Sequence, residues 1–128
     1  MSWRGSQAES RRRYLTKFDA AEAERYDSVV GHLSPQDEVA YRTDLARCVQ
    51  LPLGAAVLDA GAGTGTLTRL LVRLPGLSLT ALEPAPAMLA RMRAQPELRD
   101  VAAVQGFCDA DADRSLFPAG SFDAIMSR

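Results

Sequence analysis

The chain has 128 residues, of which 47% are hydrophobic and 24% are charged, and its formal net charge at pH 7 is −1. This length suits one ordinary domain with a buried core. Because the net charge is near zero, bulk electrostatics give no reason to expect a nucleic acid or an anionic membrane as a partner. The two cysteines are far apart, and the sequence shows neither an apolar leader nor an apolar run of membrane-spanning length. We therefore expect a cytoplasmic protein with free thiols and no membrane partner.

The first part of the chain is predicted to be a polar tail followed by helices. Residues 1–14 are mostly polar, which favours a solvated tail. Within the helical segment 15–51, apolar residues recur every three or four positions between Leu15 and Val30, which predicts one amphipathic helix. A second helix should begin after Ser34, because a serine followed by a proline is typical of a helix start. The side chains expected to face inward from this second helix are Val39, Leu45, Ala46 and Val49.

Residues 52–128 alternate between short apolar strands and helices. The predicted strands cover residues 56–60, 77–82, 101–104 and 122–126, and the predicted helices cover residues 66–74 and a segment around Met88, Leu89 and Met92. Strands that alternate with helices of about ten residues predict a parallel sheet built from right-handed βαβ units. The predicted fold class is therefore α/β, with a Rossmann-like parallel sheet preceded by N-terminal helices.

A glycine motif follows the first predicted strand. Residues 57–65 read Val-Leu-Asp-Ala-Gly-Ala-Gly-Thr-Gly, so an apolar run ends in Asp59 and then in three glycines at alternate positions. Gly61, Gly63 and Gly65 lack Cβ atoms, which allows a sharp turn and a close approach to a ligand. A dinucleotide-binding turn needs G-x-G-x-x-G, and a P-loop needs a following Gly-Lys-Ser/Thr, and neither pattern is present. The segment resembles the first motif of the class I S-adenosylmethionine-dependent methyltransferases.

This resemblance implies that the cofactor is S-adenosyl-L-methionine. Asp59 is then expected to orient the glycine loop and to receive the ammonium group of the methionine moiety. Glu83 follows the second apolar strand, where a carboxylate can accept hydrogen bonds from both ribose hydroxyls. The other positions expected to line the cofactor are Ala60, Ala62, Pro84 and the three glycines.

The residue that contacts the adenine is left open. The family places Gly-Asp-Ala after the third strand, but counting forward from Gly106 puts Phe107 in the position of the aspartate. Counting back from the later Phe-Pro-x-Gly-Ser-Phe-Asp stretch puts Asp111 there, and Asp109 lies between the two positions. The candidates are therefore Asp111, Asp109 and a backbone contact near Cys108.

The resemblance extends upstream of the sheet. The pairs Phe18-Asp19 and Tyr26-Asp27 look like the leading helix of small-molecule methyltransferases, in which an aromatic side chain often closes over the cofactor. Tyr26 and Tyr14 are the candidate lid residues, with a role in the core as the alternative. The resemblance favours a small-molecule methyl acceptor. We single out no catalytic base, and no cluster of residues has the spacing of metal ligands.

The pattern ends early for this family, whose members usually have seven strands. The resemblance covers roughly residues 15–128 and stops after the fourth strand. A shortened gene product, one half of a complex and a part of a longer protein are all compatible with this, and we favour truncation. An apolar fourth strand at the sheet edge should then cause self-association, and we expect the chain alone to be marginally stable and to transfer no methyl group. Two other functions stay open: an S-adenosylmethionine-binding module without methyl transfer, and an NAD-dependent dehydrogenase, which the glycine spacing disfavours.

Overall fold

The computed structural model describes residues 3–17, 19–30, 35–107, 117–118 and 120–127. Three helices come first: α1 (Trp3–Lys17), α2 (Ala20–Val30) and α3 (Pro35–Val49). They are followed by β1 (Ala56–Ala60), α4 (Thr66–Leu71), β2 (Ser78–Glu83), α5 (Pro86–Arg93), a short 3-10 helix (Pro96–Leu98), β3 (Ala102–Gln105) and β4 (Ala124–Ser127). None of the described helices combines the length and the apolar character needed to cross a membrane.

The four strands form one parallel sheet in the order β3-β2-β1-β4. In the register of this sheet, Ala60 of β1 lies opposite both Leu82 of β2 and Ser127 of β4. Glu83 lies opposite Gln105 of β3. The prediction of an α/β, Rossmann-like parallel sheet with N-terminal helices is thereby confirmed. Because all strands run in the same direction, the carboxyl ends of β1 and β2 lie at the same edge of the sheet. The residues that follow the two strands therefore lie close together at this edge.

Each face of the sheet buries alternate residues of β1. Val57 packs with Leu67 and Leu71 of α4 and with Cys48 of α3. Leu58 and Ala60 point to the opposite face, where they pack with Leu82 and with partly buried Phe117 and Phe122. Complete burial of a side chain such as Leu71 stabilises the fold by about 1.5–3 kcal/mol. The site at the strand ends therefore stands on a packed central strand.

The N-terminal region differs from its prediction. Residues 1–14 were predicted to be a polar tail, but helix α1 begins at Trp3 and continues through the position where the predicted amphipathic helix starts. Glutamate, glutamine, alanine and arginine favour helices, and Arg13 pairs with Glu9 one turn earlier at 2.6 Å. The predicted single helix is also divided, because the Asp19 carboxylate accepts a hydrogen bond from the backbone N–H of Glu22 at 2.9 Å and so caps α2.

Helix α3 begins at the predicted proline but presents a different face to the core. Val39 and Val49 were expected to point inward, yet they are 62% and 66% exposed, and Ala46 is exposed as well. Among the α3 side chains that the structure describes, Asp44 and Cys48 are buried, with half-buried Tyr41 and Leu45 beside them. The side of α3 that faces the core includes an aspartate and a tyrosine, so the spacing of apolar residues alone predicts the wrong buried face.

Candidate functional site at the carboxyl edge of the sheet

The glycine loop after β1 folds back over the end of β2. The backbone N–H groups of Gly61 and Ala62 both donate to the carbonyl of Leu82, at 2.8 and 3.0 Å. Gly61, Gly63 and Gly65 all have positive φ angles, of 73°, 61° and 94°. L-residues with side chains rarely adopt this conformation, so the alternating glycines allow the loop its path.

The third glycine has a second reason to be glycine. A Cβ atom at Gly65 would lie 2.8 Å from Leu98 Cδ1 and 3.0 Å from Met92 Cγ. These side chains belong to the short 3-10 helix and to α5. Gly65 therefore lets the start of α4 pack closely against these elements, which is a different requirement from a close approach to a ligand.

Glu83 ends β2 and connects three segments of the chain. Its carboxylate accepts hydrogen bonds from the backbone N–H of Gly63 at 3.0 Å and from that of Ala85 at 2.7 Å. The Tyr14 hydroxyl of α1 lies 3.0 and 3.1 Å from the two carboxylate oxygens. The side chain is completely buried. Burial raises the pKa of Glu83, and the hydrogen bonds from Ala85, Tyr14 and Gly63 oppose that rise.

Asp59 lies at the end of β1 and is only 3% exposed. Its carboxylate accepts a hydrogen bond from the Thr68 hydroxyl of α4 at 2.7 Å. The pKa of Asp59 is raised to about 6: burial raises it most, the hydrogen bond from Thr68 lowers it, and the charges of Asp44 and Glu83 add to the rise. The contact with Thr68 fixes the acid against the helix that the glycine loop leads into.

Gln95 holds the glycine loop from the side of α5. Its amide nitrogen donates to the carbonyl of Thr64 at 2.6 Å, and its amide oxygen accepts from Arg69 of α4 at 3.0 Å. The Thr64 hydroxyl is buried and has no hydrogen-bond partner among the described residues. Gln95 thus fixes the loop through the Thr64 carbonyl, while the Thr64 hydroxyl has no partner among the described residues.

Helix α1 covers the edge of the sheet near the ends of β2 and β3. The rings of Tyr14 and Phe107 meet edge to face, with centroids 6.0 Å apart and planes at 69°. The guanidinium carbon of Arg11 lies 5.0 Å from the centroid of the Phe107 ring. Phe107 follows β3 by two residues, so these contacts place α1 beside Glu83.

The structure brings most of the predicted site residues together. Those that meet at this edge are Asp59, Ala60, Gly61, Ala62, Gly63, Gly65, Glu83, Pro84 and Tyr14. The candidate adenine contacts Asp109 and Asp111 lie outside the described residues. Tyr26 lies on α2, and its side chain also falls outside the described part. Sequence reasoning missed Gln95 and Thr68 as supports of the loop and of Asp59, although Thr68, one turn into the helix after the glycines, faces back toward the acid.

Comparisons with known proteins agree with this geometry. A family model described as a methyltransferase domain matches residues 57–128. The malonyl-acyl-carrier protein O-methyltransferase of Halorhodospira halophila is 41% identical over 125 residues, which make up 95% of this chain and 39% of the relative. The 2-methyl-6-phytyl-1,4-hydroquinone methyltransferase of Synechocystis is 35% identical over 77 residues, 60% of this chain and 23% of the relative.

The fold is also similar to solved structures. A candidate S-adenosyl-L-methionine-dependent methyltransferase from Methanococcus maripaludis superposes with a TM-score of 0.66 at 25% sequence identity. The match covers 88% of this chain and 51% of that structure. The chain therefore spans about half the length of this structural neighbour, and 39% and 23% of the two curated relatives.

Proposed function

We propose, from the premise that the chain belongs to the methyltransferase domain family, that it is the cofactor-binding portion of an S-adenosyl-L-methionine-dependent methyltransferase with a small-molecule acceptor. The observation that carries the proposal is the bond between Glu83 and the Gly63 amide. This bond joins the acid at the end of β2 to the glycine loop at the end of β1. Both parts of a nucleoside-binding edge therefore lie within one hydrogen bond of each other.

The residues at this edge fit the chemistry of that cofactor. A carboxylate is the acceptor that paired ribose hydroxyls need, and Glu83 supplies one at the tip of β2. Gly61 is exposed at the start of the loop and has no side chain, so a ligand can approach its backbone closely. Asp59 is a buried acid whose pKa is raised by burial and by other carboxylates, so a ligand with a positive charge would stabilise its ionised form.

The protein's own contribution to the reaction is binding and orientation. When bound, the cofactor supplies a methyl group that its sulfonium already activates. Glu83 and the glycine loop would hold the nucleoside, and Asp59 would hold the amino end. Orientation of this kind contributes on the order of 7–11 kcal/mol to rate acceleration. We assign no general base within the described residues.

The acceptor is proposed to be a small molecule. One relative is named for a malonyl group on an acyl-carrier protein and the other for a hydroquinone, so these two chemistries are the first acceptors to test. The net charge of −1 favours a small molecule over a nucleic acid. We also propose a cytoplasmic location, which rests on the composition of the chain.

Calorimetry with S-adenosylmethionine, S-adenosylhomocysteine and NAD tests the proposal. We expect both adenosyl ligands to bind and NAD not to bind. Glu83→Ala removes charge-assisted hydrogen bonds worth about 1.5–3 kcal/mol each, so affinity should fall by at least about tenfold. Glu83→Gln keeps the size of the side chain and separates this loss from unfolding, and the exposed Glu97→Ala is the matched control. An unchanged dissociation constant in both Glu83 variants would remove that residue from the site, and binding of NAD alone would favour the dehydrogenase.

Methyl transfer requires a separate assay. Transfer of a labelled methyl group to a malonyl thioester or to an alkyl hydroquinone would support the enzyme. Cofactor binding without transfer to either acceptor would favour the alternative, a cofactor-binding module that transfers no methyl group.

A further inference from the structure

One face of helix α1 contacts the residues that the proposed cofactor needs. Arg11 and Tyr14 are three positions apart, so they project from the same side of the helix. Tyr14 donates to the Glu83 carboxylate, and Arg11 lies over the Phe107 ring. Both contacts fall at the adjoining ends of β2 and β3.

The Tyr14 hydroxyl uses acceptor capacity that a ribose would need. A carboxylate offers about four lone-pair positions. In Glu83, the backbone N–H groups of Gly63 and Ala85 take one position on each oxygen. The Tyr14 hydroxyl lies 3.0 and 3.1 Å from the two oxygens, and its single proton takes one of the two positions that are left. Two ribose hydroxyls and Tyr14 cannot all be satisfied by the same carboxylate.

Arg11 covers a flat ring in the same way. The Phe107 side chain is half-buried, and its ring carries the Arg11 guanidinium 5.0 Å from the centroid. A planar cation on an aromatic face takes the position that a stacked adenine would take. Since Phe107 stands two residues beyond the partner of Glu83, the covered ring and the covered carboxylate are the two neighbouring surfaces that an adenosine would contact.

We propose that α1 is a competitive plug of the adenosine site, in which Tyr14 takes the place of the ribose hydroxyls and Arg11 that of the adenine. The cofactor must displace this face of α1 to bind. The inference rests on the proposed function and concerns regulation of the same site. It predicts that α1 opens on binding, whereas a lid would close. The side chains of Arg12, Arg13, Thr16 and Lys17 are exposed, so the packing that must be broken lies on the face of Tyr14, which contacts the cluster of Ala23, Ala85 and Met88.

Tyr14→Phe tests the proposal because it keeps the ring and removes only the hydroxyl. We expect the affinity for S-adenosylmethionine to rise about tenfold, which is the effect of one competing hydrogen bond to a charged group. Arg11→Ala should raise affinity as well. The exposed Arg12→Ala, on the same helix, is the matched control and should leave affinity unchanged.

Hydrogen exchange supplies a readout that is independent of activity. The amides of α1 should exchange faster in Tyr14→Phe than in wild type or Arg12→Ala without cofactor, and faster in wild type once S-adenosylmethionine is added. Weaker or unchanged binding by Tyr14→Phe, or increased protection of α1 on binding, would overturn the plug. If the Glu83 variants lose affinity as expected while Tyr14→Phe gains none, the plug alone fails. If the wild type does not bind the cofactor at all, both proposals fail.

Discussion

Replacing Asp59 by asparagine tests how much the buried charge at the end of β1 costs the fold. Burial raises the pKa of this carboxyl from 3.8 to about 6. Between these values the native chain holds a proton that the unfolded chain has lost, so the free energy of unfolding falls as pH rises through this window. Each pH unit corresponds to about 1.4 kcal/mol, so the loss reaches about 3 kcal/mol above pH 6. Below pH 3.8 the carboxyl is protonated in both the native and the unfolded chain, so the fold no longer bears the cost of burying its charge.

The measurement is urea unfolding of wild type and Asp59→Asn from pH 4 to pH 7.5. The asparagine oxygen can still accept the hydrogen bond from Thr68, so the variant removes the charge and keeps the contact. The stability of the variant relative to wild type should rise by about 3 kcal/mol across the range. Asp100→Asn, at an exposed carboxylate, controls for the loss of a charge. A difference that does not change with pH, or one that shrinks as pH rises, would refute the reasoning.

Three further predictions follow from packing and from the sheet edge. Gly65→Ala introduces a Cβ 2.8 Å from Leu98 Cδ1 and 3.0 Å from Met92 Cγ at a positive φ, so thermal melts should show a loss of about 2–4 kcal/mol. Thr64→Val removes a buried hydroxyl that has no partner among the described residues and should stabilise the chain by about 1 kcal/mol, and a destabilised variant would mean that the hydroxyl has a partner. Ile125 is 59% exposed on β4, so size-exclusion chromatography should show self-association that Ile125→Lys reduces, whereas a wild type that elutes as a monomer at every concentration would contradict this.

The central strands and the glycine loop were predictable because their signals are local. Strand β1 has the predicted bounds, since a short apolar run is followed directly by residues that end a strand. Glu83 ends β2 as the sequence indicated, because an acid after an apolar strand marks the carboxyl edge of a parallel sheet. Each inference needed fewer than about ten neighbouring residues.

The resemblance named Tyr14 as a candidate lid residue, but the contacts of α1 could not be read from the sequence. The contact between Tyr14 and Glu83 joins residues 69 positions apart, and no periodic pattern reports it. The helix is polar on most sides, so its first residues resemble a solvated tail. Gln95 was missed for a similar reason. An amide after α5 gives no local sign that its partner is a backbone carbonyl 31 residues earlier.

Ionisation of Asp59 should have opposite effects on folding and on ligand binding: it lowers the stability of the fold and raises the affinity for a cationic ligand. Ionised Asp59 destabilises the native chain chiefly because it is buried, and the charges of Asp44 and Glu83 add to this effect, but the same ionised form is the one that would hold a ligand ammonium group. Below pH 6 the binding of a cation must therefore release a proton from the Asp59 carboxyl. The affinity for S-adenosylmethionine should then rise about tenfold between pH 5 and pH 7. Calorimetry at several pH values, in buffers of different ionisation enthalpy, measures both the affinity and the released proton. Asp59→Asn should bind more weakly and without this pH dependence. A wild-type affinity that stays constant across the range would show that Asp59 is a structural acid held by Thr68 rather than a ligand of the cofactor.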